Sequence, residues 1–143
     1  MAAADLAQLI EQYHESLGAF IQGDPEPTKR LWSRRDDVTL ANPFGPPVRG
    51  WQQVADAIDR ATAQVHGGEV LGVERISAVE TADLAYVVEI ERGQTKFGGR
   101  DDSTPYSLRV TSVFRREDGA WRLVHRHADP ITTARSLESV LER

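Results

Sequence analysis

The segment from Arg109 to Pro130 constrains the fold more than any other part of the chain. It reads as two antiparallel strands joined at Asp118-Gly119, a dipeptide that tolerates the positive φ values of a tight hairpin turn. Successive side chains of a strand point to opposite faces. On that rule Leu108, Val110, Ser112 and Phe114 share one face of the first strand, against Arg109, Thr111, Val113 and Arg115. In the second strand Trp121, Leu123, His125, His127 and Asp129 alternate with Arg122, Val124, Arg126 and Ala128. One face then carries a His-x-His-x-Asp row beside Trp121 and Leu123, and Arg126 is expected on the opposite face. So dense a polar set on a last strand is where function is expected.

The rest of the chain supplies helices and further strands. Leu6, Leu9, Ile10, Tyr13, Leu17, Phe20 and Ile21 recur at helical spacing and predict a helix over 5–22, capped by Asp5 and stopped by Gly23. A short second helix is predicted with Asp24 as its cap, Pro25 or Pro27 in its first turn, and Leu31 and Trp32 turned inward. A strand from Asp37 to Ala41 ends in the proline-rich turn Asn42-Pro-Phe-Gly-Pro-Pro47. A third helix is predicted from Trp51 to about Val65, with Val54, Ala57, Ile58, Ala61 and Val65 on its apolar stripe, halted by His66-Gly67-Gly68. Strands are predicted over 70–79, 84–91, 106–116 and 121–129, a mobile loop over 93–103, and a terminal helix over 133–141. Helices first and long antiparallel strands last give an α+β fold, a curved antiparallel sheet covered on one face by the N-terminal helices. Such a sheet closes over a cone-shaped pocket suited to a small, partly apolar ligand.

Length and charge narrow the function. A chain of 143 residues fits one domain over 1–143. A formal charge of -5, with no clustered basic face, argues against nucleic acid. With no cysteine, disulfides and thiolate chemistry are excluded. No segment has the length of a membrane span and Asp5 interrupts any leader, so a cytoplasmic location is expected. Lysine occurs only at 29 and 96 against many arginines, the usage of a GC-rich, bacterial-type genome.

Several of these features together resemble the NTF2-like superfamily, in particular its SnoaL-like and ketosteroid-isomerase-homologue branch. They are the Gly23-Asp24 helix end, the Asp37-Val-Thr strand, the Asn42-Pro-Phe-Gly turn, Gly50 before the third helix, and above all the last strand pair from Phe114 to His127. The resemblance implies an NTF2-like (cystatin-like) cone and a homodimer formed through the sheet. It does not fix the activity, since the fold hosts isomerases, cyclases, hydrolases and association domains. Ketosteroid isomerases place a catalytic aspartate just before the proline of the first turn. That position is Asn42 here, and an amide cannot take up a proton near neutral pH. The tyrosine that polarises the steroid carbonyl corresponds to Ser16, with Tyr13 one helical turn away, so classical steroid isomerisation is not expected. The acidic base of SnoaL-like cyclases corresponds to Arg126. In the kinase-association branch pocket arginines hold small carboxylates; Arg126 matches that pocket face, and the other arginine positions are Val88, Ser112 and Ala128.

The candidate catalytic residues are therefore Arg126, His127 and Asp129, and the candidate pocket residues are Tyr13, Trp32, Asn42, Phe44, Ile58, Val88, Tyr106 and Ser112. Trp32 and Tyr106 suit a core better than a ligand platform, and Asn42 and Phe44 suit plain turn chemistry better than ligand contact. His125, His127 and Asp129 could meet one zinc ion, but same-face neighbours on a strand stand about 7 Å apart. Packing at a subunit interface is the better reading, and no metal or cofactor is expected. If Arg126 faces a pocket it needs an anion, either a neighbouring carboxylate or a bound ligand; on a solvated face it is an ordinary surface charge, and the sequence leaves both readings open. The expected function is a pocket for a small carbonyl or carboxylate compound, acted on by a cofactor-independent isomerase, lyase or hydrolase. A non-catalytic ligand-sensing or association module is the alternative, and a histidine-metal enzyme a third.

Overall fold

The structure, a computed structural model, describes residues 2–142. Helix α1 (Ala2–Phe20) buries Leu6, Leu9, Tyr13 and Leu17 along one stripe. It begins ahead of Asp5, which sits in its first turn rather than at its cap, where the charge still favours the helix's positive end. The chain then turns at Gly23, in the left-handed region at φ 94°. Helix α2 (Glu26–Arg30) is only five residues long; its cap position is Pro25 rather than Asp24, whose Oδ1 accepts the Glu26 N–H at 3.1 Å from one residue further back. After β1 (Thr39–Ala41) and β2 (Val48–Arg49) comes α3 (Trp51–Thr62), which buries Val54, Ala57, Ile58 and Ala61. The long strands β3 (Val65–Glu80), β4 (Leu84–Phe97), β5 (Thr104–Glu117) and β6 (Ala120–Asp129) complete an α+β fold. No helix among the described residues is long and apolar enough to cross a membrane.

The six strands form one open, curved sheet in the order β2-β1-β6-β5-β4-β3. Neighbours are antiparallel except β1 and β6, which run parallel. The helices pack on the concave face, where Tyr13, Trp32, Val38, Val54, Val87, Phe114 and Leu123 form the core. Tyr13 meets Phe114 edge-to-face at 5.7 Å between ring centroids.

The hairpin between β5 and β6 turns at Asp118 and Gly119, both with positive φ, as that dipeptide implies. The expected alternation fails a few residues later. Val113 pairs with His125 but Phe114 pairs with Leu123, so Val124 is an extra residue that bulges β6. The bulge shifts the parity of everything after it. Arg126 pairs with Ser112 and Ala128 with Val110, both inward-facing, so Arg126 lies on the same concave face as Trp121 and Leu123, not opposite them. His125, His127 and Asp129 are turned to the outer face.

Three further segments depart from the sequence reading. Residues 93–97, expected in a mobile loop, continue β4, because Gly93 is a packing glycine: a Cβ there would lie 2.5 Å from the Tyr106 hydroxyl and 2.9 Å from the Glu69 carbonyl. His66-Gly67-Gly68 does not stop α3, which has already ended; it begins β3, with Gly67 at φ 61° where the register slips between His66 and Glu69. The terminal helix is reduced to a 3-10 turn over Leu137–Val140. Leu137, Val140 and Leu141 are exposed there, and a helix that short does not persist without packing.

Gly68 fixes how closely β3 approaches the end of α1. Its N–H donates to the Ile21 carbonyl at 3.0 Å, and a Cβ at this position would come within 2.6 Å of that oxygen. Gly68→Ala is expected to destabilise the protein by about 1–3 kcal/mol, the usual range for overpacking. Urea denaturation of the two proteins checks it.

Candidate functional site

Strand β4 places Ala85, Val87, Glu89 and Glu91 on the concave face, in register with Phe114, Ser112, Val110 and Leu108 of β5. Two glutamates in an otherwise apolar inward row are costly unless each finds a cation. Glu91 finds Arg126. From β6 the guanidinium reaches diagonally across β5, and its Nη1 and Nη2 donate to the two Glu91 oxygens at 2.7 and 2.8 Å. Both partners are enclosed, with 14% and 6% of their side-chain surfaces accessible. Nη1 also donates to the Tyr13 hydroxyl, which lies 2.5 Å from Ser112 Oγ. The anion that a pocket arginine requires is thus a neighbouring carboxylate.

Beside this pair lies a cavity of about 240 Å³ between α1, α3 and the sheet. Leu17, Phe20, Ile21, Ile58, Val65, Phe97 and Leu108 give it apolar walls, while Glu91, Arg126 and Tyr106 supply polar groups. Asn42, Pro43 and Phe44 lie at its rim. Asn42 Oδ1 accepts the Phe44 N–H at 3.0 Å and so shapes the turn, and the Phe44 ring is 47% exposed. Trp32 lines the cavity too, and its indole N–H is buried with no hydrogen-bond partner.

Of the residues singled out from the sequence, Tyr13, Trp32, Asn42, Phe44, Ile58, Tyr106 and Arg126 line this cavity together. Ser112 sits fully buried behind it, holding Tyr13. Val88 is on the outer face of β4, out of reach. His127 and Asp129 are outside as well: His127 Nε2 lies 3.1 Å from Asp129 Oδ2, and Asp129 takes Arg109 Nε at 2.7 Å. His125 Nδ1 turns instead to Thr39 Oγ1 at 2.8 Å. The three do not converge, and no cluster suited to a metal ion exists among the described residues. Glu91 is the site residue that sequence reasoning misses. Its signal is the strict alternation of Ala85, Val87, Glu89 and Glu91, but a strand read as ending at Glu91 hides a residue that the strand in fact passes through.

Electrostatics decide what the cavity can do. Burial pushes the Tyr13 hydroxyl up to about 12, against the lowering effect of Arg126. Tyr106 is also raised to about 12, by burial and by the charge of Glu91. Both phenols therefore stay protonated and act as neutral hydrogen-bonding groups through the neutral range. Burial works against the Arg126 charge, but Glu91 and Tyr13 more than offset it and hold the guanidinium above its usual range. Glu89 lies next to this site. Burial raises its pKa, yet His14 Nε2 and Arg75 Nε, each at 2.8 Å, bring it below its ordinary value overall. Its folded value being the lower one, the stability it lends is complete above the unfolded pKa and is lost as pH falls through the folded pKa.

Residues 6–132 match the SnoaL-like domain family. No curated protein matches the chain. Among solved structures it resembles a ketosteroid isomerase-like protein from Erwinia carotovora atroseptica, at 20% identity and a TM-score of 0.75 over 91% of this chain and 96% of that one. A candidate dehydratase of the NTF2-like family from Streptomyces avermitilis matches at 19% identity and a TM-score of 0.73, covering 92% and 98%. A candidate calcium/calmodulin-dependent protein kinase type II association domain from Thiobacillus denitrificans matches at 22% and 0.70, covering 87% and 93%. At these identities the likeness is one of fold.

Breaking a buried ion pair from one side strands the other charge. Glu91→Gln is expected to cost about 3–5 kcal/mol, whereas replacing both partners, Glu91→Leu with Arg126→Leu, should cost less than the single change. Denaturant unfolding of the single and double variants reads the difference.

Proposed function

This chain belongs to the SnoaL-like branch of the NTF2-like superfamily, and on that premise we propose that it is a binding protein for a small, mainly apolar organic molecule. The observation that carries the reading is the cavity of about 240 Å³, apolar in its walls and polar on one side through Arg126, Glu91 and Tyr106. Somewhat below the range of ordinary ligand pockets, about 300–1,000 Å³, it suits a small molecule of one or two rings. Arg126, Tyr13, Trp32, Asn42, Phe44, Ile58 and Tyr106 are its proposed contacts. Binding is favoured over acid–base turnover because the cavity's lining holds no histidine, its phenols stay protonated, and both oxygens of its one carboxylate already accept from Arg126. A weak or pre-engaged base contributes little to proton transfer. Arg126 is a ligand-orienting group in this reading, while His127 and Asp129 belong to the outer face.

That outer face supports a homodimer. Leu84, Tyr86, Val88 and Ile90 of β4 point away from the core, beside Val79 of β3 and Val113 of β5. Tyr86 is 39% and Leu84 49% exposed, an apolar patch of the kind that marks an association surface.

Two measurements test these proposals. Leu108→Trp fills the cavity from β5, so an apolar fragment that raises the melting temperature of the wild-type protein should leave this variant unchanged; a panel of apolar fragments without one hit overturns the pocket reading. The protein is also expected to sediment as a dimer at micromolar concentration, and Tyr86→Glu combined with Val88→Glu as a monomer. A wild-type monomer at that concentration removes the dimer.

A further inference from the structure

Resting on the pocket reading above, we propose that Glu91 is a built-in occupant of the anion seat at Arg126, so that the cavity selects uncharged molecules bearing a hydrogen-bond acceptor and rejects carboxylates. An isolated arginine in an apolar cavity would draw in a planar oxyanion, which its fork meets with two parallel hydrogen bonds. Here Nη1 and Nη2 already make that pair of bonds to Glu91, and Nη1 makes a further one to Tyr13. The enclosure is therefore electrically balanced before any ligand enters. What remains on the guanidinium is the second hydrogen of Nη2 and the Nε–H, enough for one neutral oxygen.

A second carboxylate on that remaining edge would put two anions on one cation. The excess negative charge would sit among Leu17, Phe20, Ile58 and Leu108 with no compensating group. Arg92, the other cation of the lining, is half exposed and engaged with Glu74 at 3.0 Å. The Tyr106 hydroxyl adds a neutral donor to the same wall, and Glu91's field is one of the causes that keep it protonated. A ketone, ester or amide oxygen meets these donors without bringing a charge. Selectivity arises from a repulsive element as much as from an attractive one, and Glu91 is that element.

The test is a pair of ligands matched in size, methyl β-naphthyl ketone and β-naphthoate, titrated calorimetrically against the wild-type protein and Glu91→Gln. The wild type is expected to bind the ketone at least about ten-fold more tightly than the carboxylate. Glu91→Gln removes the negative charge from the seat, leaving Arg126 without its counter-ion, and should reverse the order, with naphthoate now raising the variant's melting temperature more than the ketone does. Naphthoate binding to the wild type as tightly as the ketone overturns the inference and leaves the pocket reading intact. So does a folded Glu91→Gln that gains nothing toward naphthoate. If neither compound binds the wild type, nor naphthalene itself, the pocket reading falls and the inference with it. Should the variant not fold, the wild-type preference between ketone and carboxylate decides the matter alone.

Discussion

A guanidinium enclosed beneath a curved sheet must find its counter-charge inside the protein, and most of this site follows from how Arg126 does so. Its partner comes from β4, two strands away, so the ion pair ties three strands together across β5. The same group anchors Tyr13, and Tyr13 in turn carries α1 onto the sheet through Phe114 and Ser112. Helix, three strands and cavity wall thus share one polar junction. Such a junction is unforgiving, since each charge is tolerable only while the other is present.

The bulge at Val124 makes the junction possible. Without the extra residue, the alternation that puts Trp121 and Leu123 in the core would send Arg126 to the outer face with His125 and His127. With it, one strand contributes core at its start and a buried cation further on, and keeps a separate polar row outside. Leu123 is also the residue whose backbone exchanges hydrogen bonds with Leu31 and Ser33, at 2.9 Å each, which holds the bulged segment against the chain leaving α2. The two roles proposed above, ligand contact and dimer formation, would compete for one face, and a single inserted residue puts the buried cation and the outer polar row on opposite faces.

Much of this is legible in the sequence and some is not, for identifiable reasons. The apolar spacing of α1 and α3, the Asp118-Gly119 turn and the alternation of β5 are local signals, and local signals survive into the structure. The Leu123-Val124 pair, two adjacent apolar residues within an alternating strand, is the only trace of the bulge and is also what an ordinary buried strand shows. Gly93 reads as a loop residue because glycine weakens strands; here it makes room for Tyr106 from the neighbouring strand, a contact no local rule contains. Cutting β4 short at this glycine turns Glu91 into a strand terminus. That Arg126 needs an anion if it faces a pocket is plain from the sequence, but its partner lies 35 positions away in the chain, and only the register of three strands joins them.

The chemistry of the cavity follows from the same pairing. A carboxylate poised as a base needs a pKa raised toward neutrality and a free oxygen, as burial alone would give it. Glu91 has no free oxygen to offer, since both accept from Arg126. Burial above all pushes both tyrosines up to about 12, so they serve as neutral donors through the neutral range. Asn42, at the rim of the cavity, uses its Oδ1 to accept the Phe44 N–H. Glu91 and Asn42 are thus engaged in holding shape, which is what the binding role proposed above requires of them.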